Sequence, residues 1–160
     1  MDIFDYIEKK FDGKTDKCGD PYVFHLYRVA KTAKESYFIR LTDTEKDDVY
    51  KIALLHDIIE DTDTTVDELK TVDDISDSII DAVVTLTRTK EETYNEYIER
   101  VSKNRLATLV KLHDLKDNMD ITRYVDFKDI SISLLERYHN AYKYLLKELL
   151  MKQNKFLLTN

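Results

Sequence analysis

The chain reads as an all-α protein, a single bundle of about six to eight helices, on three observations. It contains only two glycines and one proline in 160 residues. That is too little turn punctuation for a sandwich, a barrel or a glycine-rich phosphate loop. Apolar residues recur at three- and four-residue spacing along most of its length. The one alternating stretch, Ile130 to Leu135, would form a strand without a partner.

Each helix has its own signal. Ile3, Phe4, Ile7 and Phe11 share one face of a first helix over residues 2–11. Residues 12–20 hold both glycines and read as a loop. Pro21 then suits the first helical position, with Asp20 as N-cap, for a helix running to about Phe38. Thr42 or Asp43 caps a third helix that continues through Asp61 on Val49, Ile52, Ala53, Leu55 and Ile59. Thr65 with Glu68 has the capping-box spacing for a short helix, and Thr93 with Glu96 repeats it ahead of Tyr97, Ile98 and Val101. Between them, Ile75, Ile79, Ala82, Val83 and Leu86 keep helical spacing. Leu106, Leu109, Val110 and Leu112 place another helix ending near Asp120, and residues 131–152 form the last. No composition shift marks a linker. Residues 1–160 are therefore expected to be one domain, with the motif-bearing part at about 13–123 and a C-terminal packing helix at about 131–152.

The charge balance restricts the partners. With 25 basic and 32 acidic residues the net charge is -7, the wrong sign for a face that neutralises many phosphates, so nucleic acid is excluded as a general partner. A small anionic ligand needs a locally basic pocket or a bound cation. Lys14, Lys17, Arg28, Lys111 and Arg123 are the available positive groups, and Lys17 and Lys111 lie closest to the motifs described next. Cys18 is the one cysteine, which excludes a disulfide framework and a thiolate-rich zinc site. No run approaches the ~18 apolar residues of a membrane span, and the N-terminal MDIFDYIEKKFD is charged. A cytoplasmic protein without a membrane partner is expected.

Two dipeptides, His56-Asp57 and His113-Asp114, carry the chemistry. In LLHDIIEDT, His56 precedes Glu60 by four residues, and Asp57 precedes Asp61 by four. On one continuous helix these pairs occupy adjacent stripes. Ala53, Leu54, Leu55, Ile58 and Ile59 surround them and draw the cluster against the core. Buried carboxylates are costly unless paired or bound to a cation. His25 in PYVFHLYRVA and Asp114 in LVKLHDLKDNMD add an imidazole and a carboxylate on two further apolar helices. His25, His56, Asp57 and Asp114 together suit a six-coordinate Mn²⁺-type ion, or Fe, Ni or Zn, with open positions for water.

The order H…HD…D, with HDIIEDT followed by VKLHDLKDNMD, resembles the HD-domain metal-dependent phosphohydrolases. The likeness is greatest to the hydrolase domain of the RelA/SpoT group and the small alarmone hydrolases. GDPYVFHLYRVA, ALLHDIIEDT, TLTRTKEETYNEYIERV and LVKLHDLKDNMDITR carry it. The resemblance implies that His25, His56, Asp57 and Asp114 bind Mn²⁺, and that Glu60 and Asp61 position and deprotonate the attacking water. It implies that Asn118 contacts the nucleotide sugar and that Lys17 belongs to a base- and phosphate-binding loop. The implied reaction removes pyrophosphate from the 3′ position of guanosine tetra- or pentaphosphate, giving GDP or GTP.

Glu60 is expected to be partly buried beside the cation and to take the proton of the bound water, with Asp61 orienting Glu60 or the water. Three departures stand out. Asp16 replaces an arginine of the base-stacking loop, Cys18 replaces a serine, and the family's A-D-R-L-H-N is H-D-L-K-D-N here. The last puts His113 and Asp117 at altered positions, with His113 either behind the metal or in the base pocket. These changes keep open the same chemistry on an adenine alarmone, a nucleoside phosphate or a phosphorylated dinucleotide. A catalytically silent nucleotide-binding module would show decay of the ligand set, and none is visible.

Overall fold

The computed structural model describes residues 1–158, which are helical with no strand. The helices are α1 (Ile3–Lys10), α2 (Tyr22–Lys34), α3 (Asp43–Leu55), α4 (Ile58–Asp61), α5 (Val66–Leu69), α6 (Asp77–Leu86), α7 (Tyr94–Val101), α8 (Arg105–Asn118) and α9 (Ile132–Leu158). Two single-turn 3₁₀ helices, Ile121–Arg123 and Phe127–Asp129, join α8 to α9. Residues 130–135 therefore enter a helix and a turn, and α9 buries Ala141, Leu145 and Leu149 against the rest. Among the described residues, no helix is long and apolar enough to cross a membrane.

Side chains at the helix starts account for most boundaries. Asp2, Thr42, Thr65, Ser76, Thr93 and Asn104 each accept a backbone N–H of the first turn of their helix. Thr42 with Glu45 and Thr93 with Glu96 are reciprocal capping boxes. Thr65 makes only its own half, because Glu68 turns away to pair with Lys10 at 2.9 Å.

Three boundaries differ from expectation. Pro21 is the residue before α2 rather than its first member, and Asp20 does not cap it. Asp16 organises that loop instead, accepting the N–H groups of Cys18 at 2.8 Å and Asp20 at 3.2 Å. α2 stops at Lys34, short of Phe38, where the Ser36 hydroxyl accepts the Phe38 N–H and turns the chain. The third helix breaks after Leu55 and resumes at Ile58. At the break the His56 ring Nδ1–H donates to the Ala53 carbonyl at 2.7 Å. A continuous helix would offer that carbonyl to the N–H of Asp57.

α2 packs along α3, and α8 crosses α2, α3, α6 and α9. Leu26, Leu54, Leu55, Ile58, Leu109, Leu112 and Leu115 are fully buried where these helices meet. The α3–α4 break, the first turns of α2 and the last turns of α8 converge at one end of this core.

Candidate metal centre

Three helices each deliver a side chain to one point. His25 Nε2 lies 3.3 Å from His56 Nε2, 3.3 Å from Asp114 Oδ1 and 3.6 Å from Asp57 Oδ2. His56 Nε2 lies 2.9 Å from Asp57 Oδ2 and 3.6 Å from Asp114 Oδ1. Ion bonds of ~2.1 Å at right angles separate neighbouring donors by about 3 Å, so these spacings fit a divalent ion. His25, His56 and Asp114 are buried, and their ligand atoms lie within 4.8 Å of one another.

The break in α3–α4 makes this convergence possible. Adjacent residues on a continuous helix point about 100° apart. At the break both His56 and Asp57 face the same point. In α8, which is continuous, only Asp114 of the second dipeptide does so. His113 is turned into the core, stacked on Phe38 with ring centroids 5.4 Å apart. Neither of its ring nitrogens has a partner, and burial, then the nearby Lys116, pushes its pKa down to about 4. It belongs neither to the cluster of His25, His56, Asp57 and Asp114 nor to the cavity beside it.

Each of the four side chains is held from behind. Tyr22, stacked on Phe11 at 4.9 Å, donates its hydroxyl to Asp57 Oδ2 at 2.7 Å. Lys111 Nζ meets Asp114 Oδ2 at 2.7 Å, and Asn118 Nδ2 donates to Asp114 Oδ1 at 2.5 Å. The His25 Nδ1–H donates to Asp117 Oδ2 at 2.7 Å. Asp117 in turn receives Arg28 Nε at 2.7 Å, Arg28 Nη2 at 2.9 Å and Arg123 Nη1 at 3.2 Å. Arg123 also pairs with Asp16, 107 positions away in sequence.

These contacts set the charges. Burial works against ionisation of Asp57 and Asp114, yet His56 and His25, and for Asp114 first Lys111, hold both carboxyls below the usual range. Burial likewise opposes the charge of the imidazoles. Carboxylates around them nevertheless raise His25 to about 11 and His56 to about 9. Asp117, opposed by burial but bonded to His25 and Arg28, is lowered to about 2.

A cavity of about 380 Å³ opens beside the cluster. Asp16, Asp57, Glu60, Asp61, Asp114, Asp117 and Asp120 line it against Lys17, Lys111 and Arg123. Glu60 is exposed rather than partly buried, and its Oε2 accepts the Arg88 N–H at 3.0 Å. Asp61 is exposed too, and partial desolvation at the cavity wall, then the negative Asp57, pushes its carboxyl up. Lys17 crosses the cavity mouth and donates to the Tyr138 hydroxyl at 2.9 Å. Lys111, Arg28 and Arg123 are all paired with carboxylates, and Lys14 is exposed.

Tyr22, Asp117 and the partners of Asp16 are not evident from the motif alone. A local signal existed for two of them: Tyr22 stands one turn before His25, and Asp117 one turn after Asp114.

The HD-domain family profile matches residues 22–148. The chain is 28% identical over 123 residues to a guanosine-3′,5′-bis(diphosphate) 3′-pyrophosphohydrolase of Aquifex aeolicus, covering 72% of this chain and 16% of that protein. It is 37% identical over 112 residues to the Danio rerio guanosine-3′,5′-bis(diphosphate) 3′-pyrophosphohydrolase MESH1, covering 68% of this chain and 59% of that one. It therefore spans less than two thirds of either curated relative. A solved structure described as a metazoan ortholog of SpoT that hydrolyses ppGpp superposes with a TM-score of 0.70 at 22% identity, over 98% of this chain and 92% of that one. That likeness shows a shared all-helical fold, and with the profile match over most of its length the chain belongs to the HD-domain family.

Proposed function

We propose that the protein is a Mn²⁺-dependent phosphohydrolase that removes pyrophosphate from the 3′ position of guanosine tetra- or pentaphosphate, leaving GDP or GTP. The observation that carries this reading is the convergence of His25, His56, Asp57 and Asp114 within 3.6 Å of one another's imidazoles, at a cavity that also holds an acidic pair. The names of the two curated relatives supply the substrate class. Residues 1–160 act as one unit in this reading, since α1 and α9 pack on the same core as the matched segment. It works on a small nucleotide in the cytoplasm, where Cys18 stays reduced.

A divalent ion bound by the two imidazoles and two carboxylates supplies Lewis acidity, acidifying water and polarising a phosphoryl oxygen. The chain's own groups do the rest. Asp61, whose carboxyl is raised by desolvation and then by Asp57, takes the proton of the attacking water in place of the exposed Glu60. Glu60, anchored by the Arg88 N–H, orients that water. Tyr22 fixes Asp57, and Lys111 and Asn118 fix Asp114 while lining the cavity, Lys111 with ammonium N–H groups left for the substrate. Lys17 leaves Tyr138 to meet a phosphate or the base.

The test is a panel of guanosine and adenosine 3′-pyrophosphates, NTPs, dNTPs and NMPs with Mn²⁺, quantifying pyrophosphate and orthophosphate separately, with Asp57→Ala as control. Pyrophosphate from the guanosine 3′-pyrophosphates alone supports the reading. Orthophosphate from a mononucleotide overturns the alarmone substrate and keeps the metal chemistry. The pairing of Asp16 with Arg123 and Arg28 favours a second reading, in which another nucleotide is the substrate. The loop then presents a neutralised ion pair to the base instead of a free guanidinium.

A further inference from the structure

The two imidazoles of the cluster are supported differently. The Nδ1–H of His56 donates to a neutral acceptor, the Ala53 carbonyl, at 2.7 Å. The Nδ1–H of His25 donates to a carboxylate, Asp117 Oδ2, at the same distance. Asp114 and Asp117 lie one turn apart on α8, so this helix grips the opposite nitrogens of a ring that α2 supplies. Asp117 is itself immobilised. Arg28, one turn beyond His25 on α2, reaches both of its oxygens, and Arg123 adds a further bond. Only 11% of the Asp117 side chain is exposed.

A carboxylate on one imidazole nitrogen draws positive charge onto the ring and makes the other nitrogen a stronger donor to a metal. It also fixes the tautomer and prevents the ring from flipping. From this geometry we infer that Asp117 is a positioning residue for the metal centre, making His25 its strongest imidazole ligand. Arg28 and Arg123 keep the carboxylate in place. Arg123 extends the chain of contacts to Asp16 in the loop over residues 12–20, so the orientation of His25 is tied to the wall of the cavity. The inference rests on the metal centre proposed above and is independent of which nucleotide is cleaved.

The experiment uses the full chain without substrate. Mn²⁺ affinity is measured by calorimetry for the wild type, Asp117→Asn and Asp117→Ala, and the imidazole N–H protons of the metal-free proteins are followed by NMR. Asp117→Asn leaves His25 a neutral acceptor, like that of His56, and Asp117→Ala leaves none. The expected losses of affinity are about 10-fold for Asn and approaching 100-fold for Ala. The far-downfield His25 Nδ1–H resonance disappears in both variants, a change that loss of packing alone would not restrict to one ring. Thermal unfolding of the metal-free variants identifies any that fail to fold, and the Asn variant keeps the shape of the side chain. Wild-type affinity in both variants, or retention of the downfield proton in Asp117→Asn, overturns the inference. A wild type that binds no Mn²⁺ overturns it together with the metal centre.

Discussion

The Tyr22 hydroxyl reaches from the first turn of α2 to Asp57 Oδ2, 2.7 Å away, at the break between α3 and α4. Asp57 lies outside helical backbone geometry, and its carboxylate is fixed by contacts rather than by a helix. Tyr22→Phe removes the contact and keeps the stack on Phe11. The loss expected is about 1–2 kcal/mol of stability, with weaker Mn²⁺ binding. Chemical denaturation and metal titration of the variant check this. Unchanged values for both would show that Asp57 does not need the phenol.

Asp114 faces the cluster on one side and Lys111 on the other, with the two side chains 5% and 15% exposed. Asp114→Ala leaves a largely buried ammonium without its partner. This change costs about 3–5 kcal/mol in the metal-free protein. A double variant, Asp114→Ala with Lys111→Met, recovers part of that stability and none of the metal binding. Urea unfolding of the three proteins separates the ion pair from the ligand.

The imidazoles predict how stability depends on pH. In the metal-free fold, His25 is raised to about 11 and His56 to about 9 from an ordinary 6.5. Groups raised in this way stabilise the fold fully below 6.5, and the contribution falls as pH rises through the folded values. The melting temperature of the metal-free protein is expected to fall between pH 7 and about 9, where the unfolded imidazoles have lost their protons and the folded His25 and His56 still hold theirs. With Mn²⁺ the imidazoles are already neutral ligands, so the decline is absent. Parallel curves with and without the ion would contradict this.

His113 is a buried polar group without a partner. His113→Leu is expected to stabilise the protein by about 1 kcal/mol or more and to leave Mn²⁺ affinity within twofold. The depressed pKa, about 4, also costs the native protein stability as pH falls below 6.5. The variant loses that acid sensitivity, which thermal melts at pH 5 and pH 7 would show.

The all-α architecture was legible because glycine and proline are scarce and the apolar spacing is helical almost throughout. The candidates that converge, His25, His56, Asp57 and Asp114, were legible because two His-Asp dipeptides and a lone histidine lie on apolar stretches. Composition could not show that the first dipeptide stands at a break and the second in a continuous helix. That difference turns His56 inward to the cluster and His113 away from it, and it depends on which donor takes the Ala53 carbonyl. Asp117 stood out only as a departure from the family's motif, with no role of its own, until α2 brought His25 against it. The loop arginine missing at position 16 is answered by Arg123, which only folding places there.

Anomalous diffraction from crystals of the protein grown with Mn²⁺ tests the metal centre most directly. The account predicts one strong peak bonded to His25 Nε2, His56 Nε2, Asp57 and Asp114 at roughly 2.2 Å, and its loss in Asp57→Ala. A peak on other residues, or none at saturating Mn²⁺, would contradict it.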